Sequence, residues 1–67
     1  MNIDMKYPVE GYAVTHPILG AELFINEDEA DKRISKIVCS GVKYPNNTSK
    51  LPAWIHKENN RLFWTPR

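Results

Sequence analysis

Asn26-Glu27-Asp28-Glu29-Ala30-Asp31-Lys32-Arg33-Ile34-Ser35-Lys36-Ile37-Val38-Cys39-Ser40-Gly41 is the stretch that organises the chain. Asn26 is a good N-cap, and Glu27, Asp28 and Glu29 put negative charge on the first turn, where the helix dipole favours it. Apolar residues at Ala30, Ile34, Ile37 and Val38 form one helical stripe. Asp28–Lys32 and Glu29–Arg33 have the acid-before-base order at i, i+4 that supports a helix. Ser40-Gly41 is the stop, with Gly41 suited to a left-handed cap. The spacing predicts a helix over 27–39.

Strand patterns lie on either side. Met1, Ile3, Met5 and Tyr7 alternate with polar residues as a half-buried strand would, and Pro8 ends or edges that run. Glu10 to His16 reads as a strand with Tyr12 and Val14 on one side and Ala13 and Thr15 on the other. Pro17 to Gly20 is a turn and Ala21 to Ile25 a short strand, so 10–25 reads as a hairpin. After the helix, Val42-Lys43-Tyr44 reads as a short strand and 45–50 as a loop. The overlapping sequons Asn46-Asn47-Thr48 and Asn47-Thr48-Ser49 read as turn chemistry. Pro52 to Lys57 and Arg61 to Thr65 form a second hairpin about Glu58-Asn59-Asn60, because asparagine tolerates the positive φ of a tight turn. The expected fold class is α+β: an antiparallel β-sheet with one α-helix, about 27–39, packed on one face of a single domain, 1–67.

Length and composition limit the function. A chain of 67 residues buries only about 60% of its unfolded surface, which leaves little room for an enclosed substrate cavity. Cys39 is the single cysteine, so no internal disulfide and no multi-cysteine metal site can form. Cys39 reads as a small buried hydrophobe beside Val38. Disulfide-free small domains belong to a reducing compartment, and no signal peptide or membrane span is legible, so a cytoplasmic protein is expected. His16 and His56 are the only histidines; neither sits in a nucleophile or metal motif, and three glycines cannot make a phosphate-cradling loop. Both histidines read as ordinary surface residues. The expectation is a protein that is not an enzyme, with no catalytic residue, no metal and no cofactor.

Charge is uneven along the chain. Residues 1–31 carry one base, Lys6, against seven acids, a net −6; residues 32–67 carry eight bases against Glu58 alone, a net +7. Such asymmetry points either to an electrostatic partner or to two halves that neutralise each other in the fold. Lys32, Arg33 and Lys36 share one helix face, at spacings where like charges repel slightly. They form a contact surface for phosphates or carboxylates, or a merely solvated face. In the second hairpin, Trp54 and Phe63 are interleaved with Lys57, Arg61 and Arg67, the stacking-plus-charge composition of single-strand nucleic-acid binders. A core this small also needs Trp54 or Trp64, and the apolar face left over is a protein-binding patch.

Lys32-Arg33-Ile34-Ser35-Lys36 followed by Cys39 resembles the helix of a family of small phage-encoded type I-F anti-CRISPR proteins. Trp54-Ile55-His56-Lys57-Glu58-Asn59-Asn60-Arg61 through Trp64 is similar to that family's closing hairpin. The likeness spans residues 22–64, with a one-residue shift inside the helix; the N-terminal strand material and the acidic first half depart from it. The resemblance implies a non-catalytic strand–helix–strand–strand inhibitor that docks on the backbone subunits of a type I CRISPR surveillance complex in the host bacterial cell. It would interfere with target DNA binding there, and the family's basic helix positions would pass to Lys32, Arg33 and Lys36. Two other readings stand beside it. One is a direct nucleic-acid-binding module using the basic C-terminal half. The other is a homo-oligomer joined through an edge strand or the leftover aromatic face.

Overall fold

Four antiparallel strands and one helix make the fold, in the order β1 (Val9–His16), β2 (Gly20–Phe24), α1 (Glu27–Cys39), β3 (Ser49–Glu58) and β4 (Arg61–Pro66). The computed structural model describes residues 6–67. The alternating positions Met1, Ile3 and Met5 lie outside the described residues. The strands are ordered β2-β1-β3-β4. Because β1 is antiparallel to both neighbours, β2 and β3 run parallel with β1 between them, and α1 makes the crossover. This is the α+β arrangement expected from the sequence.

Local chemistry sets the boundaries of α1. Asn26 Oδ1 accepts the Asp28 N–H at 2.9 Å, which satisfies one of the orphan donors of the first turn. At the other end Ser40 N–H and Oγ both donate to Ile37 O, and Gly41 takes φ +80°. Neither i, i+4 ion pair forms within the helix: Arg33 turns instead to Glu22 on β2.

Register and alternation fix the two sheet faces. Tyr12 lies opposite Phe24 and Pro52, and Val14 opposite Glu22 and Lys50, so these side chains share the face on which α1 packs. The core there is Val14, Ala30 and Ile37, with Tyr12, Phe24, Ile34 and Val42 around it. Val38 and Cys39 lie off that stripe and are exposed, which corrects the expectation that both are buried. The stripe is Ala30, Ile34 and Ile37; Val38 follows Ile37 by one residue, about 100° round the helix, and leaves the sheet side. The opposite sheet face is buried at its centre by Ala13, Ala53 and Ile55. Gly11 lies opposite Ala53 there, and a Cβ on it would stand 2.5 Å from Ile55 Cδ1 and 2.5 Å from Phe24 O.

Three further expectations change. Val42–Tyr44 is not a strand: Tyr44 takes φ 61° and leads into a 3-10 turn, Pro45–Asn47, closed by Thr48 Oγ1 donating to Pro45 O. Ser49 and Lys50 belong to β3 rather than to a loop. Pro52 sits inside this central strand because its missing N–H points toward β4, where Arg67 N–H donates one bond to Pro52 O and asks for none back. His16 is buried, not a surface residue. Its Nδ1 accepts from Ile18 N–H at 3.1 Å and Leu19 N–H at 3.3 Å, which leaves Nε2 as the donor to Tyr44 O at 3.1 Å. One imidazole thus ties the β1–β2 turn to the loop that follows the helix.

Candidate functional site

The ion pairs decide which charges remain for a partner. Arg33 bridges to Glu22 at 2.7 Å, Lys50 to Asp31 at 2.7 Å and to Glu27 at 2.9 Å, and Arg67 to Glu10 at 3.4 Å. Every one joins an acid from the first half to a base from the second, so folding pairs four of the seven acids with three of the eight bases and leaves most of the basic charge unpaired among the described residues. The carboxylates of Asp31 and Glu27 hold the Lys50 ammonium above the usual lysine range. Lys50 and Arg67 also lie over the Tyr12 ring, 5.7 and 5.3 Å from its centroid, and Arg67 donates to Gly11 O at 3.1 Å.

These bridges also orient the helix. Its acidic side, Glu27 and Asp31, turns toward β3, while Arg33 faces β2. Lys32, Arg33 and Lys36 line one cleft of about 280 Å³ between α1 and β2, with Glu22, Phe24 and Glu29 as the other walls. The three cations are therefore brought together, as the sequence predicts. Arg33 is spent on Glu22, however, and Glu29 faces the same cleft, so Lys32 and Lys36 are the cations in it without an ion pair among the described residues.

The hairpin residues form a second, separate surface. A two-residue turn with positive φ at Asn59 (52°) and Asn60 (63°) fixes the β3–β4 register. That register sets His56 opposite Phe63, Trp54 opposite Thr65 and Glu58 opposite Arg61. The His56 and Phe63 rings stack with centroids 4.7 Å apart and planes 5° from parallel, and His56 Nε2 meets Thr65 Oγ1 at 2.8 Å. Trp54, His56, Phe63 and Arg61 lie on the face that carries α1, beyond the part the helix covers; Trp54 is 37% exposed and Phe63 42%. Lys57 goes to the other face, where its ammonium sits 5.9 Å from the Tyr7 ring centroid. Trp64, opposite Ile55, is the half-buried tryptophan, so it is the one that serves the core.

The structure thus divides the sequence-predicted set. Lys32 and Lys36 flank the β2 side of the helix, Trp54, Phe63 and Arg61 share the open sheet face, and Lys57 stands apart from both. His56 joins the aromatic surface as a stacking partner of Phe63. Its signal was present, since alternation put it beside Trp54 and the two-residue turn put it opposite Phe63. Among the described residues no group of three or more His, Cys, Asp or Glu side chains is placed to hold a metal ion. No helix there is long and apolar enough to cross a membrane. Comparison with family models, with curated proteins and with solved structures finds no match for this chain.

Proposed function

We infer that this chain is a small, non-catalytic protein-binding module that docks through the open sheet face bearing Trp54, His56, Phe63 and Arg61. The observation that carries this reading is the exposure of Trp54 and Phe63 beside Arg61 on one rigid hairpin. Tryptophan and arginine are the residue types that dominate protein interfaces, and residues fixed in a sheet lose little entropy on binding. Lys32 and Lys36 supply a second, electrostatic contact that steers association. The resemblance over residues 22–64 supplies the partner class: backbone subunits of a type I CRISPR surveillance complex, which the module would occupy to block access of target DNA in the cytoplasm of a phage-infected cell.

The distribution of unpaired cations favours a protein partner over direct nucleic-acid binding. Lys32 and Lys36 lie at the helix cleft, Arg61 at the hairpin tip and Lys57 on the opposite face, so these four do not line up as one track along a phosphate backbone. The test is capture of the surveillance complex by the tagged protein, with and without nuclease. A nuclease-resistant stoichiometric complex is expected. Trp54→Ala is expected to weaken it about 30-fold, the scale of a 2 kcal/mol hot spot. Lys32→Glu with Lys36→Glu is the cleaner charge reversal, because Arg33→Glu also breaks the bridge to Glu22. Material that is lost on nuclease treatment, with affinity falling steeply with salt, would instead assign the aromatic face to single-stranded nucleic acid.

A further inference from the structure

We propose that two copies of this chain associate through the outer edge of β4, antiparallel and centred on Phe63, to make one continuous eight-stranded sheet. The argument starts from the hairpin register. A two-residue turn makes Glu58–Arg61 the hydrogen-bonded closing pair, and alternation then turns the N–H and C=O groups of Arg61, Phe63 and Thr65 toward β3. The bond from Arg67 N–H to Pro52 O continues the same alternation. Leu62 and Trp64 therefore point their backbone groups outward, and among the described residues no strand pairs with that edge.

Such an edge invites pairing unless something blunts it. β4 has no lysine and no bulge; what blunts it is Pro66 at one end and a single charge, Arg61, at the other. The other edge strand, β2, is only five residues long and lies beside the helix, with Glu22 bridged to Arg33. Self-pairing of β4 satisfies the exposed groups with one register. Leu62 with the partner's Trp64, and Trp64 with the partner's Leu62, form the two hydrogen-bonded pairs, and Phe63 meets the partner's Phe63 between them. The stacked His56–Phe63 pair becomes a row of four rings across the dimer, and Leu62, 55% exposed in one copy, packs beside the partner's Trp64. The only charge on the strand, Arg61, falls opposite the partner's Thr65. The two Arg61 side chains are thereby offset by about 13 Å along the strand, more than a Debye length. The pairing uses the strand edge and the docking described above uses the sheet face, so the dimer does not depend on that reading.

A six-residue strand pair falls below the roughly 800 Å² per partner of a tight interface, so the expected dissociation constant is on the order of 100 µM. The experiment is sedimentation equilibrium of the full chain from about 10 µM to about 1 mM, with amide hydrogen exchange of the same samples. The expected result is a mass rising from 7.8 kDa toward twice that value, with exchange slowing at Leu62 and Trp64 as concentration rises. Leu62→Pro removes only an outward N–H and Phe63→Lys sets two ammonium groups face to face. Each should shift dimerisation beyond the accessible concentration while circular dichroism reports an unchanged fold. A mass of 7.8 kDa throughout overturns the proposal, as does association that both folded variants leave intact.

Discussion

Replacing His16 by alanine tests the part of the fold that sequence reading misplaced. The imidazole is 5% exposed and makes three hydrogen bonds, from Ile18 N–H, from Leu19 N–H and to Tyr44 O. At about 1 kcal/mol net for each bond, plus roughly 1 kcal/mol for the buried ring carbon lost, His16→Ala should cost about 3–4 kcal/mol. A domain of this length holds about 3–10 kcal/mol in total, so the variant stands near the edge of folding. At about 4–8 °C per kcal/mol, its melting temperature should fall by more than about 12 °C. Urea unfolding followed by tryptophan fluorescence gives the number directly, as a lower midpoint at unchanged slope. Asparagine is the informative partner variant. Its Oδ1 occupies the place of the imidazole Nδ1 and can accept from residues two and three ahead, as in an Asx turn, but it has nothing at the Nε2 position. His16→Asn should therefore recover about 2 kcal/mol of the loss, leaving only the bond to Tyr44 O unmade. An alanine variant within about 0.5 kcal/mol of the parent, or an asparagine variant no better than alanine, would refute the assignment of these bonds.

Three more outcomes are expected. Gly11→Ala should destabilise by about 2 kcal/mol or more, because the new methyl meets the carbonyl oxygen of Phe24 at 2.5 Å and backbone cannot yield; a melting temperature within a few degrees of the parent's would contradict that crowding. Asn26→Ala should cost about 1 kcal/mol and fray the first turn, read as faster amide exchange at Asp28, whereas unchanged exchange would mean the cap is idle. Asp31 and Glu27 raise the affinity of Lys50 for its proton above the ordinary 10.5, so its stabilising effect is fully present below about that pH and is lost only as pH rises through the higher folded value. The stability gap between the parent and Lys50→Gln should stay flat from neutral pH to about 9.5 and narrow above about 10.5; a gap that narrows from neutral pH upward would sink the bridge as its source.

Elements whose signals are local were legible in the sequence. The helix ends fall where Asn26 and Gly41 place them, and the β3–β4 hairpin follows from Asn59-Asn60. What sequence could not supply was set by contacts between distant segments. Val42-Lys43-Tyr44 has strand composition, yet it pairs with no strand: Tyr44 takes φ 61° and enters the 3-10 turn, and its carbonyl is held by His16 instead of a sheet neighbour. His16 precedes a proline at a turn, which reads as surface, but the loop after the helix folds back to offer it Tyr44 O. Arg33 is four residues from Glu29, and in an isolated helix that pair would form. Here Glu22 on β2 lies nearer because the crossover brings β2 under the helix.

The same crossover explains why the candidate residues form two surfaces rather than one. A helix that joins β2 to β3 over β1 must turn one flank to each strand. Its sequence has acids at positions 27 and 31 for the Lys50 side and bases at 32, 33 and 36 for the Glu22 side. This polarity positions the helix and, at the same time, carries Lys32 and Lys36 to the edge of the sheet farthest from Trp54 and Phe63, since the strand order sets β2 and β4 at opposite ends. A partner that needs both surfaces must span the width of the sheet and wrap past the helix. A partner that needs only one leaves the other surface tolerant of substitution. Pairing Trp54→Ala with the Lys32→Glu, Lys36→Glu double variant separates the cases. Losses in binding free energy that simply add mean a partner spanning both surfaces, each contributing independently. Loss from one variant alone identifies the surface that the partner occupies.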